Sequence, residues 1–332
     1  MQLSKKRVLV AGGAGFIGSH LVDLLMEKQA GFVRVMDNLK TGKLGNIQSH
    51  LKAANFEFIE GSITDEEDVQ IALKDIDLVF HLATLGVRHS IKQPYENHLV
   101  NAEGTLFLLQ ESLRQKVGKF IYCSSSEVYG SARNAPMDES HPTEPHTVYG
   151  ASKLCAEAYT RAFHKTYGLK STIVRPFNTF GPRSHFEGDS GELIPKTIVR
   201  ILGGKKPIIF GTGEYSRDFT YVKDVAMGLY STSLDDKLVG GTFNLGSSME
   251  VSVRQVIETI LGVLGKDKSE IEYLEDRPGD VSRLFADARA FKRLTFWKPE
   301  MSFEEGILET VAWFKDHFKK DDAHQEVALN WL

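Results

Sequence analysis

Through the first half of the chain, short β-branched runs alternate with stretches whose apolar residues recur every three or four positions. The spacing predicts strands at Arg7–Ala11, Phe32–Met36, Phe56–Glu60, Leu78–Leu82, Lys119–Ser124 and Ser171–Arg175. Between them it predicts helices over Gly18–Lys28, Val69–Leu73, Asn101–Arg114 and Ala151–Tyr167. That alternation is the rhythm of a parallel sheet flanked by helices. After Pro176 the rhythm loosens. Phe177–Asp189 is rich in Gly, Pro, Asn and His and reads as a loop over a site. Further helices are expected at Leu193–Gly203, Val253–Leu264 and Phe303–Lys319. A Gly-rich run spans Phe210–Tyr215, and Thr242–Leu245 is expected to return to the main sheet as a strand.

The expected fold is therefore α/β: a doubly wound parallel sheet with a smaller, discontinuous α/β lobe. The sheet domain would take residues 1–176 with a return segment near 219–247, and the lobe 177–218 with 248–332. A chain of 332 residues, 42% of them hydrophobic, can fill both cores. A net charge of −4 provides no general basic field, so nucleic acid is not an expected partner and any phosphate binding must come from local geometry. Apolar stretches such as Val256–Leu264 are far shorter than the roughly 20 residues of a membrane span. Lys5, Lys6 and Arg7 run directly into the first strand, without the apolar core of a signal peptide. The two cysteines, Cys123 and Cys155, are too few for a disulfide framework and suit a reducing cytosol, so a cytoplasmic location is expected.

Gly12-Gly13-Ala14-Gly15-Phe16-Ile17-Gly18 follows the first strand and opens a helix. Glycines at three-residue spacing in that setting permit a tight turn and close approach of a pyrophosphate to the helix N-terminus, where free N–H groups favour an anion. Asp37 closes the second expected strand, about twenty residues beyond the last glycine, where an acid binds adenosine ribose hydroxyls. Its carboxylate would repel a 2′-phosphate, which favours NAD over NADP, although Arg34 and Lys40 lie nearby.

Tyr149 and Lys153, four apart at a helix start, project from one face. A free phenol, with a pKa near 10, is a poor base at neutral pH, whereas a nearby ammonium and a cationic nicotinamide favour the phenolate. Ser124-Ser125-Ser126-Glu127 sits at the end of a strand, on the carboxyl edge where open α/β sheets place their sites. A serine there can hydrogen-bond an oxygen undergoing oxidation. Glu127 is unnecessary for simple hydride exchange but can remove an acidified C–H proton. The eleven histidines show no metal-ligand spacing, and no metal is expected. Arg217 and Arg277 are cations in the loop-rich half and suit a diphosphate.

With these residues in place, the chain resembles the extended short-chain dehydrogenase/reductases of the nucleotide-sugar epimerase/dehydratase group, which carry a Rossmann domain. The likeness rests on Gly12–Gly18, Asp37-Asn38, Phe80–Ala83, Asn101–Thr105, Ser124–Gly130, Tyr149–Lys153, Arg175–Asn178 with Gly181–Arg183, Arg217–Tyr221 and Arg277–Asp280. It implies Tyr149 as the base on the sugar 4-hydroxyl, Lys153 at the nicotinamide ribose, and Ser125 and Glu127 beside them. On the NAD side it implies Gly12, Gly15, Phe16, Ile17, Gly18, Asp37, Asn38, Ile63, Leu82, Ala83, Thr84, Asn101 and Ser124, together with Tyr149 and Lys153. For a nucleotide-diphosphate sugar it implies Arg88, Ser125, Ser126, Asn178, Arg217 and Arg277, with Asp280 at the nucleoside ribose. A homodimer is common in such proteins. Two departures stand out: Ser62, where an acid often holds the adenine amine, and Thr84, where alanine is usual.

All members of the group form a 4-keto sugar, then diverge into 4,6-dehydration, 4-epimerisation or decarboxylation. Ser-Ser-Ser-Glu-Val-Tyr-Gly is similar to the segment in dehydratases and uronic-acid decarboxylases, whereas simple 4-epimerases mostly have a small residue for Glu127. Ser126 stands where dTDP-glucose dehydratases usually carry an acid. The loop from 181 to 192 lacks the decarboxylase pattern. A 4,6-dehydratase is therefore the leading expectation, followed by a 4-epimerase and then a decarboxylase. An inactive NAD-binding scaffold is the non-enzymatic alternative, disfavoured because Tyr149 and Lys153 are both present.

Overall fold

The structure, a computed structural model, describes residues 3–188, 191–276 and 282–317. The chain begins β1(Arg7–Ala11), α1(Phe16–Glu27), β2(Phe32–Asp37), β3(Phe56–Glu60), α2(Glu66–Leu73) and β4(Leu78–His81). It continues through α3(Val87–Lys92), α4(Pro94–His98), α5(Gly104–Arg114), β5(Lys119–Cys123), α6(Val148–Tyr167) and β6(Ser171–Pro176). The second half contains β7(Asn178–Phe180), α7(Leu193–Leu202), β8(Ile208–Phe210), β9(Ser216–Tyr221), α8(Val222–Leu234) and β10(Thr242–Leu245). Then come β11(Glu250–Ser252), α9(Val253–Leu264), β12(Glu272–Leu274), β13(Arg283–Leu284), α10(Arg289–Thr295) and α11(Phe303–His317).

Seven parallel strands form the main sheet in the order β10-β6-β5-β4-β1-β2-β3, a Rossmann arrangement. Its two faces are sorted by alternate residues. Val8, Val10, Val33, Val35, Phe80 and Ile121 pack with Leu21, Val22 and Leu25 of α1 and with Val225 and Leu229 of α8. Leu9, Met36, Val79, Phe120 and Tyr122 face the other way, onto α2, α5 and α6. Because both faces are covered, these strands read as continuous apolar runs. The chain reverses direction across the sheet between β1 and β4, which opens a crevice at their carboxyl ends.

Phe177–Asp189 is not all loop as expected: Asn178–Phe180 forms β7 and pairs in parallel with β9. Paired backbone groups and the burial of Phe180 against Phe219, Tyr221 and Phe303 outweigh the turn-forming composition. The second core gathers α7, α9 and α11 around these rings. The loop from Gly181 to Gly188 then crosses to the first half of the chain. Neutral His20 donates from Nε2 to Pro182 O at 3.0 Å, and Arg183 Nη1 meets Asp23 at 2.8 Å. Lys43 pairs with Glu187 and lies 5.3 Å from the Phe186 ring. Among the described residues no helix is long and apolar enough to cross a membrane.

Candidate active site

Gly12 leaves β1 with φ +82, a left-handed conformation that favours glycine. A Cβ on Gly12 would lie 2.5 Å from Ala83 N, so the ends of β1 and β4 approach as only glycine allows. A Cβ on Gly18 would lie 2.1 Å from Gly12 O, which brings α1 against the turn. The N-terminus of α1 has no side-chain cap. Its first N–H groups, including those of Phe16 and Ile17, therefore form a cradle for a phosphate.

Asp37 is anchored at the end of β2, its carboxylate accepting from Ala14 N at 3.0 Å and Leu39 N at 2.9 Å. Burial raises its pKa, and those backbone donors oppose the shift. Asn38 is exposed, and its Oδ1 accepts from Lys40 N at 3.1 Å. Arg34 turns away from the site: Nε meets Glu57 at 2.7 Å and Nη1 donates to Ala72 O and Lys74 O. Lys40 pairs with Glu96. Both cations that qualified the preference for NAD are thus engaged elsewhere.

Leu82, Ala83 and Thr84 line the half-buried stretch after β4, whereas Ile63 is buried in the core against Gly104. Asn101 is also buried, in a π-turn over Leu99–Glu103 rather than in the expected regular helix. Its Oδ1 accepts from Leu85 N at 2.8 Å and Thr84 Oγ1 at 3.0 Å, while Nδ2 donates to Leu85 O at 3.0 Å and Ser152 Oγ at 3.2 Å. Its amide shapes the loop after β4 and ties it to α6. Ser124 is likewise engaged within the protein, donating to Glu157 at 2.6 Å.

Glu157 belongs to a buried network that sequence reasoning missed. Arg175 meets it through two bonds of 2.8 and 2.6 Å and donates at 2.8 Å to Tyr129 Oη, which donates to Asn244 at 2.6 Å. This network braces the turn Ser126–Val128 from behind. From the front, Gly150 of α6 packs so closely that a Cβ would lie 2.6 Å from Glu127 O. Thr147 caps α6 by accepting from Gly150 N at 3.1 Å. These contacts bring Tyr149, Ser125 and Glu127 to one place.

Ser125 and Tyr149 are hydrogen-bonded through their side chains, and Ser125 Oγ also accepts from Glu127 N at 3.2 Å. Ser126 is buried beside them, and Glu127 is half-buried. Lys153 is buried, donates from Nζ to Cys123 O at 2.6 Å, and stands 4.7 Å from the Tyr122 ring centre. Burial lowers its pKa to about 8. Burial also drives the Tyr149 phenol above its ordinary range, and the Ser125 bond only partly opposes it. His81 is a core residue held by Thr105 Oγ1 at 2.8 Å, its pKa lowered to about 3 by burial.

Across the crevice, Asn178 on β7 has a shielded Nδ2 with no partner among the described residues, a donor available to a ligand. Arg217, half-buried on β9, donates from Nη1 to Ser216 O at 2.9 Å, and Arg88 is half-buried on α3. Arg277 and Asp280 lie outside the described residues. Glu192, just before α7, was not singled out in the sequence. Its only signal there is an acid at a helix start. Its backbone N donates to His185 O at 2.9 Å, and its side chain does not cap α7.

Residues 9–310 match the family described as GDP-mannose 4,6 dehydratase. The chain belongs to this family. Relatives of the GDP-mannose 4,6-dehydratase family include nucleotide-sugar epimerases as well as dehydratases. A putative UDP-glucose 4-epimerase of Methanocaldococcus jannaschii is 36% identical, over 93% of this chain and 99% of the relative. A UDP-N-acetylglucosamine 4-epimerase from Methanobrevibacter ruminantium, solved with UDP-N-acetylmuramic acid, is 37% identical with a TM-score of 0.88, over 94% of this chain and 99% of that one. A dTDP-glucose 4,6-dehydratase from Streptomyces venezuelae, solved with NAD bound, is 32% identical with a TM-score of 0.89, over 93% and 97%.

Proposed function

We propose that the chain is an NAD-dependent 4,6-dehydratase of a nucleotide-diphosphate hexose, working through a 4-keto intermediate. The observation that carries this reading is Glu127, an acid whose backbone is held next to Tyr149 by the Gly150 contact and the Ser125 bond. Gly12, Gly15 and the uncapped start of α1 would hold the pyrophosphate, Asp37 the adenosine ribose, and Leu82 to Thr84 the opposite wall. NAD supplies a reversible hydride acceptor when bound. Tyr149 takes the proton of the sugar 4-hydroxyl while Ser125 orients that oxygen. Lys153, with one N–H spent on Cys123 O, keeps further donors for ribose hydroxyls. A ketone at C4 acidifies the C5–H, and Glu127 removes that proton. Arg88, Asn178 and Arg217 would hold the diphosphate and sugar.

A 4-epimerase is the second reading, favoured by the 36% and 37% identity to the two epimerases described above. Product NMR after incubation with UDP-, dTDP- and GDP-hexoses and UDP-glucuronate separates the possibilities. A new C6 methyl signal is expected. An inverted C4 would replace the dehydratase reading with the epimerase, and a lost carboxyl would replace it with the decarboxylase. No rearranged sugar from any substrate would refute both enzymatic readings.

A further inference from the structure

The turn that carries Ser125 and Glu127 is fastened at both ends, and the two fastenings differ. At the entry, Ser124 is still tied to the main sheet, its N donating to Val174 O at 2.7 Å, and its Oγ donates to Glu157 at 2.6 Å. At the exit, Tyr129 lies beyond β5, and its side chain makes the fastening. The hydroxyl accepts from Arg175 Nη1 at 2.8 Å and donates to Asn244 Oδ1 at 2.6 Å. Arg175 and Asn244 are register partners on β6 and β10, so the phenol is moored to two neighbouring strands at once. Both moorings are themselves fixed. Glu157 grips Arg175 through bonds of 2.8 and 2.6 Å, and Asn244 Nδ2 donates to Met137 O at 2.9 Å. Tyr129, Arg175, Glu157 and Asn244 are all buried, where a lost partner is not replaced by water.

Backbone bonds carry the position of Tyr129 into the turn. Its N donates to Ser126 O at 3.0 Å, and Gly130 N donates to Glu127 O at 3.4 Å. Ser125 depends less on this end. It follows Ser124, which the sheet holds, and its side chain is bonded to that of Tyr149. Glu127 stands two residues from the phenol, and a reacting group misplaced by about 1 Å can lose about 100-fold in rate.

We propose that Tyr129 is a positioning residue: its hydroxyl, held between Arg175 and Asn244, sets where Glu127 stands for removal of the C5 proton. The oxidation at C4, which uses Tyr149 and Ser125, is set by the entry side of the turn. This division of labour within one short turn rests on the dehydratase reading.

Tyr129→Phe tests it by deleting only the hydroxyl, since the ring keeps its neighbours His141, Phe177 and Arg175. Arg161→Met is the matched control: it removes a 3.0 Å bond from the same Glu157 carboxylate but none from the turn. Single-turnover stopped-flow uses the nucleotide hexose that the unchanged enzyme dehydrates. Nicotinamide absorbance rises as C4 is oxidised and falls once the C5 proton has gone and the hydride returns. Thermal denaturation and the dinucleotide content of each variant are measured alongside. Tyr129→Phe should fold, keep its dinucleotide and show a rise within about threefold of normal, with a fall slowed about 30-fold or more. Arg161→Met should leave both phases within about threefold. A normal fall in Tyr129→Phe overturns the proposal, as does an equal slowing of rise and fall. The same slow fall in Arg161→Met also overturns it, because general loosening of the network would then suffice. A Tyr129→Phe chain that does not fold overturns it too, since the hydroxyl would then support the whole core. If the unchanged enzyme yields only the C4 epimer, the dehydratase reading itself fails and the positioning role falls with it.

Discussion

Replacing Glu157 by Gln tests how the turn bearing Ser125 and Glu127 is held. Glu157 is fully buried and Arg175 is 4% exposed, so the pair is shielded from water. Besides its two bonds to Arg175, Glu157 receives Ser124 Oγ at 2.6 Å and Arg161 Nη1 at 3.0 Å. Glutamine keeps the shape but removes the charge, which leaves the Arg175 guanidinium in the interior without a counter-ion. Breaking a buried pair this way costs about 3–5 kcal/mol. An unfolding entropy of roughly 2.1 cal/mol/K per residue over 332 residues gives about 0.7 kcal/mol/K, so Tm should fall by about 4–7 °C. Removing both charges, in Glu157→Gln with Arg175→Met, should cost less than Glu157→Gln alone. Burial opposes ionisation of Glu157, but Arg175, Ser124 and Arg161 outweigh it and hold its pKa below the ordinary 4.5. A depressed folded value means stability that is present above 4.5 and lost as pH falls through the folded value. The gap between wild type and Glu157→Gln should therefore close only in acid. Thermal denaturation followed by circular dichroism, from pH 7 to pH 3, measures all of this. A Glu157→Gln loss below about 1 kcal/mol, or a double variant less stable than the single, would refute the account.

Lys153→Met should be inactive yet more stable than wild type at pH 7, because burying the ammonium costs about 3 kcal/mol for a fall from 10.5 to about 8. Wild type gains stability as pH rises from 8 towards 10.5, since the unfolded chain then holds more protons. Its deficit in Tm should vanish by about pH 10.5, and a gap independent of pH would reject the assignment. Gly18→Ala should weaken dinucleotide binding at least about tenfold and lower Tm, because its Cβ would sit 2.1 Å from the Gly12 carbonyl. Gly15→Ala, with 3.2 Å to the same oxygen, should be milder; fluorescence titration with NADH ranks the two. Tyr149→Phe should abolish turnover while dinucleotide remains bound, as read by the nucleotide released on denaturation. Undiminished turnover would remove Tyr149 as the base.

The parallel-sheet half was legible because its strands are apolar throughout and its first turn is built from glycines that nothing larger can replace. Gly12 and Gly18 announce their contacts by residue type alone. The second half was less so. Asn178–Phe180 carries turn-forming neighbours and becomes a strand only through pairing with β9, a contact invisible locally. The short helices α3 and α4 and the π-turn over Leu99–Glu103 owe their shape to Asn97 and Asn101, which bond to the loop at Leu85 rather than to their own helices. Site polarity was harder still. Ser124 and Asn101 are polar residues beside a crevice, but their hydrogen bonds turn inward.

The loop from Gly181 to Gly188 carries a consequence for exchange. A dinucleotide seated on the glycine turn has this strap beside it, with His185 edge-on to Phe16 at 6.4 Å. Displacing the strap itself would mean breaking the attachments of Pro182 to His20, Arg183 to Asp23 and Glu187 to Lys43. A dinucleotide held behind such a strap would be recycled in place, little affected by short-lived swings in the surrounding pool.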